Sequence, residues 1–167
     1  MKLKHVAVAL ITLLVASAQA ADGTLNFTGT VTDKTCNITT TGDVTMANLS
    51  HVQFPGKGSV SQPAEFKITL AACAAGVNTV SVRFDGTPAD GDNSIIALTT
   101  SGETATGVGV QIREKDGTPI PLLSDSKPVT VTSNAAEATF DAVYISTADS
   151  VGPGNANATA TFNVFYN

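Results

Sequence analysis

Thr24-Leu25-Asn26-Phe27-Thr28-Gly29-Thr30-Val31 alternates along its whole length. Leu25, Phe27 and Val31 fall at every second position, with Gly29 in the same register, and threonine or asparagine fills the places between. Alternation of this kind marks a strand with one buried face. The run lies near the start of the chain, just before the first cysteine, where a terminus is poorly ordered unless something ties it down. Its apolar face therefore needs a sheet.

What precedes the run is a leader. Lys2, Lys4 and His5 form a basic n-region, residues 6–15 an apolar stretch broken only by Thr12, and Ala18-Gln19-Ala20 a small-residue cleavage site. This is the pattern of a secretory signal peptide. Its apolar core is shorter than the ~20 residues that span a bilayer. Residues 1–20 are thus read as the signal, leaving an exported mature chain from residue 21.

The chain has 9 basic and 14 acidic residues, a formal net charge of −5, and loss of Lys2 and Lys4 makes the mature part more acidic. No basic patch is visible, which argues against nucleic acid or an anionic membrane surface as partner. The charged fraction is only 14%, aromatics make up 5% and tryptophan is absent. Small and β-branched residues dominate, as in an extracellular β domain. Two cysteines, Cys36 and Cys73, in an exported chain read as one disulfide.

Helical periodicity is nearly absent, and short alternating segments separated by turn signals predict strands at 25–35, 44–49, 52–54, 64–70, 79–84, 95–98, 107–114, 129–131, 138–145 and 156–166. Turns are expected at 85–88 and 115–117, and a loop at 146–155. Short strands at this spacing imply a β-sandwich of immunoglobulin type.

A search for chemistry finds no catalytic constellation. His51 is the only mature histidine and sits in a loop or edge context. No nucleophile elbow, zinc helix motif or phosphate loop occurs. Asp90-Gly91-Asp92-Asn93 lacks the rest of a calcium loop and reads as a hairpin tip. Four N-x-[ST] sequons, at Asn26, Asn37, Asn48 and Asn157, are expected by chance in a chain this rich in Asn and Thr. No catalytic residue, metal ligand or cofactor is expected, and the chain is not read as an enzyme.

The ends carry the clearest signals. Asp22-Gly23 leads through the alternating run to Cys36. Cys73 follows the Phe66/Ile68/Leu70 alternation. Gly107-Val108-Gly109-Val110-Gln111-Ile112 precedes an Asp-Gly turn, and the chain closes on Ala158-Thr159-Ala160-Thr161-Phe162-Asn163-Val164-Phe165-Tyr166-Asn167, with Gly154 upstream and a penultimate tyrosine. In this order these features resemble a chaperone–usher fimbrial subunit of the type 1 and F17-like major pilin family.

The resemblance implies an incomplete immunoglobulin-like sandwich (all-β) that lacks its last strand and is completed by a donor strand. It divides the mature chain into an extension, 21–31, and a pilin domain, 32–167. Leu25, Phe27, Gly29 and Val31 would be the donor residues. Gly154, Phe162, Val164, Tyr166 and Asn167 would form the groove strand that a chaperone or a neighbour's extension completes. Gly23, inward-facing in the extension, would fill no pocket. The implied partners are other pilin subunits (the same or sister chains), a periplasmic chaperone and an outer-membrane usher, with no nucleic acid and no small-molecule cofactor. The implied location is a fimbrium on the bacterial cell surface, reached through the periplasm, with a role in adhesion. Two alternatives are a minor adaptor pilin and a self-complete monomeric secreted or periplasmic binding module.

Overall fold

The computed structural model describes residues 35–39, 42–100 and 102–167. The signal peptide and the alternating run 24–31 lie outside the described residues. Nine strands are described: β1 (Asn37–Thr39), β2 (Ala64–Ala71), β3 (Thr79–Gly86), β4 (Pro88–Ala89), β5 (Asp92–Ile96), β6 (Val108–Glu114), β7 (Val129–Thr130), β8 (Ala136–Ser146) and β9 (Ala160–Tyr166). They form a six-stranded sheet in the order β1-β2-β8-β6-β5-β4 and a three-stranded sheet in the order β7-β3-β9. Every pairing between these strands is antiparallel.

Alternation places the core. On β3, Val80, Val82 and Phe84 are buried, and they share one apolar cluster with Ile68 and Leu70 of β2, Val110 and Ile112 of β6 and Phe140 of β8. The two sheets therefore face each other across a common core. Phe84 crosses between the sheets: its ring stands edge-on to Phe140 at 5.2 Å and to Phe66 at 6.1 Å between centroids. Such offset and edge contacts between rings add to the burial of their area. Cys36 and Cys73 are disulfide-bonded, fastening the start of β1 to the chain just past β2.

The long alternating segments fold as expected, and the departures have local causes. Residues 44–49 are not a strand. Residues 51–53 form a single 3-10 turn, whose entry is closed by Ser50 N–H donating to the Gln53 side chain at 3.2 Å. Asp85 and Gly86 do not turn the chain but continue β3, pairing with Thr161 and Ala160. The reversal comes later, between β4 and β5, where Asp90 and Gly91 have φ of 50° and 78°. Two successive positive φ values suit the twist of a tight hairpin. Strand β5 consequently starts at Asp92 rather than residue 95, with the Asp92 carboxylate accepting from Ser94 N–H at 2.8 Å. The final strand starts at Ala160, four residues later than expected. Before it, the Asn157 carbonyl accepts from Thr99 N–H at 2.7 Å, so this stretch is diverted from the β3 ladder. The 115–117 turn is present, with Gly117 N–H donating to the Glu114 carbonyl at 2.9 Å.

Candidate functional site, an open strand edge and its groove

Strand β9 pairs with β3 along seven residues, from Val80↔Tyr166 to Gly86↔Ala160. Among the described residues no strand pairs with its other side, so β9 is an edge. Its inward residues Phe162, Val164 and Tyr166 pack against the core but are only half-buried, whereas their partners Phe84, Val82 and Val80 are buried. The missing cover is on the open side. An edge with exposed apolar side chains is an aggregation hazard unless something covers it.

Beside the start of this edge, at Ala160 and Phe162, lies a groove of about 830 Å³. One wall is made by residues 42–51 and the other by 151–160, with Phe66, Phe84, Val110, Ile112 and Phe162 among the lining side chains. The second wall is held by three sets of contacts. Thr106 and Gly152 exchange backbone hydrogen bonds of 3.3 and 3.0 Å, and Ala105 N–H donates to the Asn155 carbonyl at 3.0 Å. Tyr144 O–H donates to the Ala156 carbonyl at 2.9 Å, and burial pushes the pKa of this phenol up. Gly154 sits where the wall touches the 103–105 segment. A Cβ there would lie 2.4 Å from Ala105 N and 2.5 Å from the Thr104 carbonyl carbon, and its φ is 151°. Only glycine fits such a backbone contact.

Of the residues singled out from the sequence, Phe162, Val164 and Tyr166 line up on one face of β9, and Gly154 stands in the adjoining wall. The Asn167 carbonyl accepts from Asn78 N–H at 2.6 Å and Thr79 N–H at 3.0 Å, tying the strand's end to β3. Leu25, Phe27, Gly29 and Val31 lie outside the described residues. His51 is in the groove wall. Asp90-Gly91-Asp92-Asn93 spans the β4–β5 turn, and among the described residues no group of three or more His, Cys, Asp or Glu is placed to hold a metal ion.

Sequence reasoning missed two parts of the site. It took 146–155 for a plain loop, although this segment contributes a wall, and it gave Tyr144 no role in fixing that wall. Outside the groove lining, it also gave Ile38 no role. That residue is opposite Leu70 in the β1–β2 register, so both are on the inner face. Leu70 is 0% exposed and Ile38 is 45% exposed, again an inner-face apolar residue without cover.

The sequence model of the fimbrial protein family matches residues 25–167. The chain belongs to the fimbrial protein family. It is 34% identical to the type-1 fimbrial protein subunit of Serratia marcescens, over 90% of this chain and 89% of that protein. It is 30% identical to long polar fimbria protein A of Salmonella typhimurium, over 96% and 92% of the two chains. Among solved structures it is similar to an antigen and type I fimbria protein of Burkholderia pseudomallei, with a TM-score of 0.63 and 37% identity over 81% of this chain and 91% of that one. The P pilus rod subunit PapA, at 23% identity and a TM-score of 0.64 over 79% and 99%, shares the fold. This family member is a structural pilus subunit with an all-β, immunoglobulin-like fold. A fimbrial subunit belongs to a fibre on the cell surface, built with other pilin subunits.

Proposed function

We propose that the subunit polymerises by donor-strand exchange. The N-terminal run of one copy lies along the open edge of β9 in the next, as the added strand of the three-stranded sheet. The observation that carries this is the half-buried inner row Phe162, Val164 and Tyr166 on an open edge, whose first member lines a groove of about 830 Å³. An extended chain added to a sheet edge gains main-chain hydrogen bonds, and its alternate side chains enter the groove. Residues 24–31 span about 26 Å as a strand, against about 23 Å for β9. Leu25, Phe27 and Val31 are the inserted side chains, each contributing about 1.5–3 kcal/mol on full burial. Gly29 is the point of close backbone approach, and Gly23 the position that fills nothing.

The same edge explains the need for further partners before assembly. An uncovered β9 invites aggregation. A periplasmic chaperone that lends a strand, and an outer-membrane usher at which the exchange takes place, answer that hazard. The subunit acts by building a surface fibre used in adhesion. Deleting residues 21–31 from the mature chain tests the reading. Subunits should still accumulate in the periplasm but form no multimers. Multimers of normal length from the deleted chain would overturn it.

A further inference from the structure

The outward face of β9 carries an aromatic residue that the groove does not explain. Phe162, Val164 and Tyr166 face the core, so Thr161, Asn163 and Phe165 face away from it. Phe165 is 38% exposed, on an edge strand, on the face opposite the groove. It is nevertheless held in place. The Arg83 guanidinium lies 4.3 Å from its ring centroid, and Arg83 Nε donates to Asp125 Oδ1 at 2.8 Å. Arg83 reaches the ring from β3, on the paired side of β9. What remains beside the ring is the side toward the open edge.

We propose that Phe165, backed by Arg83 and Asp125, is a contact platform for the outward side chains of residues 24–31 of a second copy. The inference rests on the donor-strand reading and adds its other face. A strand paired with the open edge of β9 necessarily places its outward residues beside Thr161, Asn163 and Phe165. In the run these are Thr24, Asn26, Thr28 and Thr30, all uncharged. The platform is matched to them. Its only cation is paired with Asp125, so it offers an aromatic surface without an unpaired charge. A threonine beside the ring packs its methyl on the aromatic and keeps its hydroxyl in water. The groove alone, reading only the inward residues, leaves the outward pattern of the run without a purpose. The platform makes it a second source of affinity and a check on register, because a one-residue slip would bring Leu25 or Phe27 onto the water-facing side.

The test is a double-mutant cycle on multimers of the full mature chain. Phe165→Ala, and Phe165→Thr as a variant that keeps strand propensity, are each combined with Thr24→Ala, Asn26→Ala, Thr28→Ala or Thr30→Ala. The readout is the rate of heat dissociation of detergent-resistant multimers. Phe165 variants should dissociate about two- to five-fold faster, and one of the four outward substitutions should add nothing further in their presence. Additive effects at all four positions would overturn the platform. Coupling found instead in the melting of the monomer would overturn the second copy as occupant. Phe27→Ala separates this inference from the one beneath it. If that change leaves dissociation unaltered, the donor-strand reading itself fails; if it accelerates dissociation while Phe165 stays uncoupled, only the platform does.

Discussion

Replacing Gly154 by alanine should unlock the groove wall. The added methyl would lie 2.4 Å from Ala105 N, 2.5 Å from the Thr104 carbonyl carbon and 2.9 Å from Glu103 O. All three are backbone atoms of the segment that anchors the wall, so no side chain can swing aside. Forcing a methyl into a packed site costs about 1–3 kcal/mol. Holding alanine in a sparsely allowed backbone region costs a further ~1–3 kcal/mol. The expected loss of about 2–6 kcal/mol corresponds to a fall of the order of 10 °C in the melting temperature of a domain this size. Circular dichroism melting of the mature chain measures it. Gly42→Ala is the control, because nothing lies within 4 Å of a Cβ at that position. The wall should move away from the 103–107 segment, so multimer yield should fall together with stability. A Gly154→Ala chain melting within about 1 °C of the parent would refute the argument that this backbone contact excludes a side chain.

Val164→Asp puts a carboxylate opposite Val82, which is 0% exposed, and exported subunit should fall to background on immunoblots; Val52→Asp, at an exposed site outside the groove, should leave the level unchanged. Cys36→Ser opens a disulfide that closes a separation of 37 residues, with an expected loss of about 4 kcal/mol on the chain-entropy account, measured by urea unfolding. Asp116 is held below its ordinary value of 3.8 by the Lys127 ammonium and by Thr118, and the same pair raises Lys127 above 10.5. A depressed carboxyl adds stability above its unfolded pKa and loses it as pH falls, while a raised ammonium adds stability below its unfolded pKa and loses it as pH rises. The ion pair should therefore contribute evenly between about pH 5 and 9 and weaken on both sides. Both groups are exposed, so the effect on the whole fold is small and local. An NMR titration that places the Asp116 carboxyl at or above 3.8 would contradict it.

The sequence disclosed strands wherever a long alternation met a long ladder. Phe66/Ile68/Leu70 on β2, Val80/Val82/Phe84 on β3 and Val110/Ile112 on β6 each present one face to the core, and period-two patterning reports that directly. It failed where structure depends on a partner rather than on a pattern. Strand β4 has two residues, one of them Pro88, and exists because Ile96 and Asp92 pair with it. Residues 146–155 are rich in Gly, Pro and Asn, which reads as loop, and the wall that begins there takes its shape from Ala105, Thr106 and Tyr144, outside the segment. Phe165 looked like one more residue of a last strand because its environment is set by Arg83, on the neighbouring strand.

The misread segment 44–49 is instructive for the same reason. Its sequence alternates like a strand, with Val44, Met46 and the residues around them, yet it folds as irregular chain. Met46 still packs against the core, so its inward positions are used. What it lacks is a ladder. Segment 44–49 lines one side of the groove, and β9 presents an open edge beside the same groove. Among the described residues, strand pattern without strand pairing thus occurs in a groove wall, and a strand paired on one side only lies at the edge beside it. The run 24–31 carries a strand pattern in its sequence as well, and lies outside the described residues. An added strand in the groove would supply the ladder that β9 lacks and bring a partner within reach of 44–49. The local conflict between pattern and pairing is what a chain carries when part of its sheet is contributed by another molecule.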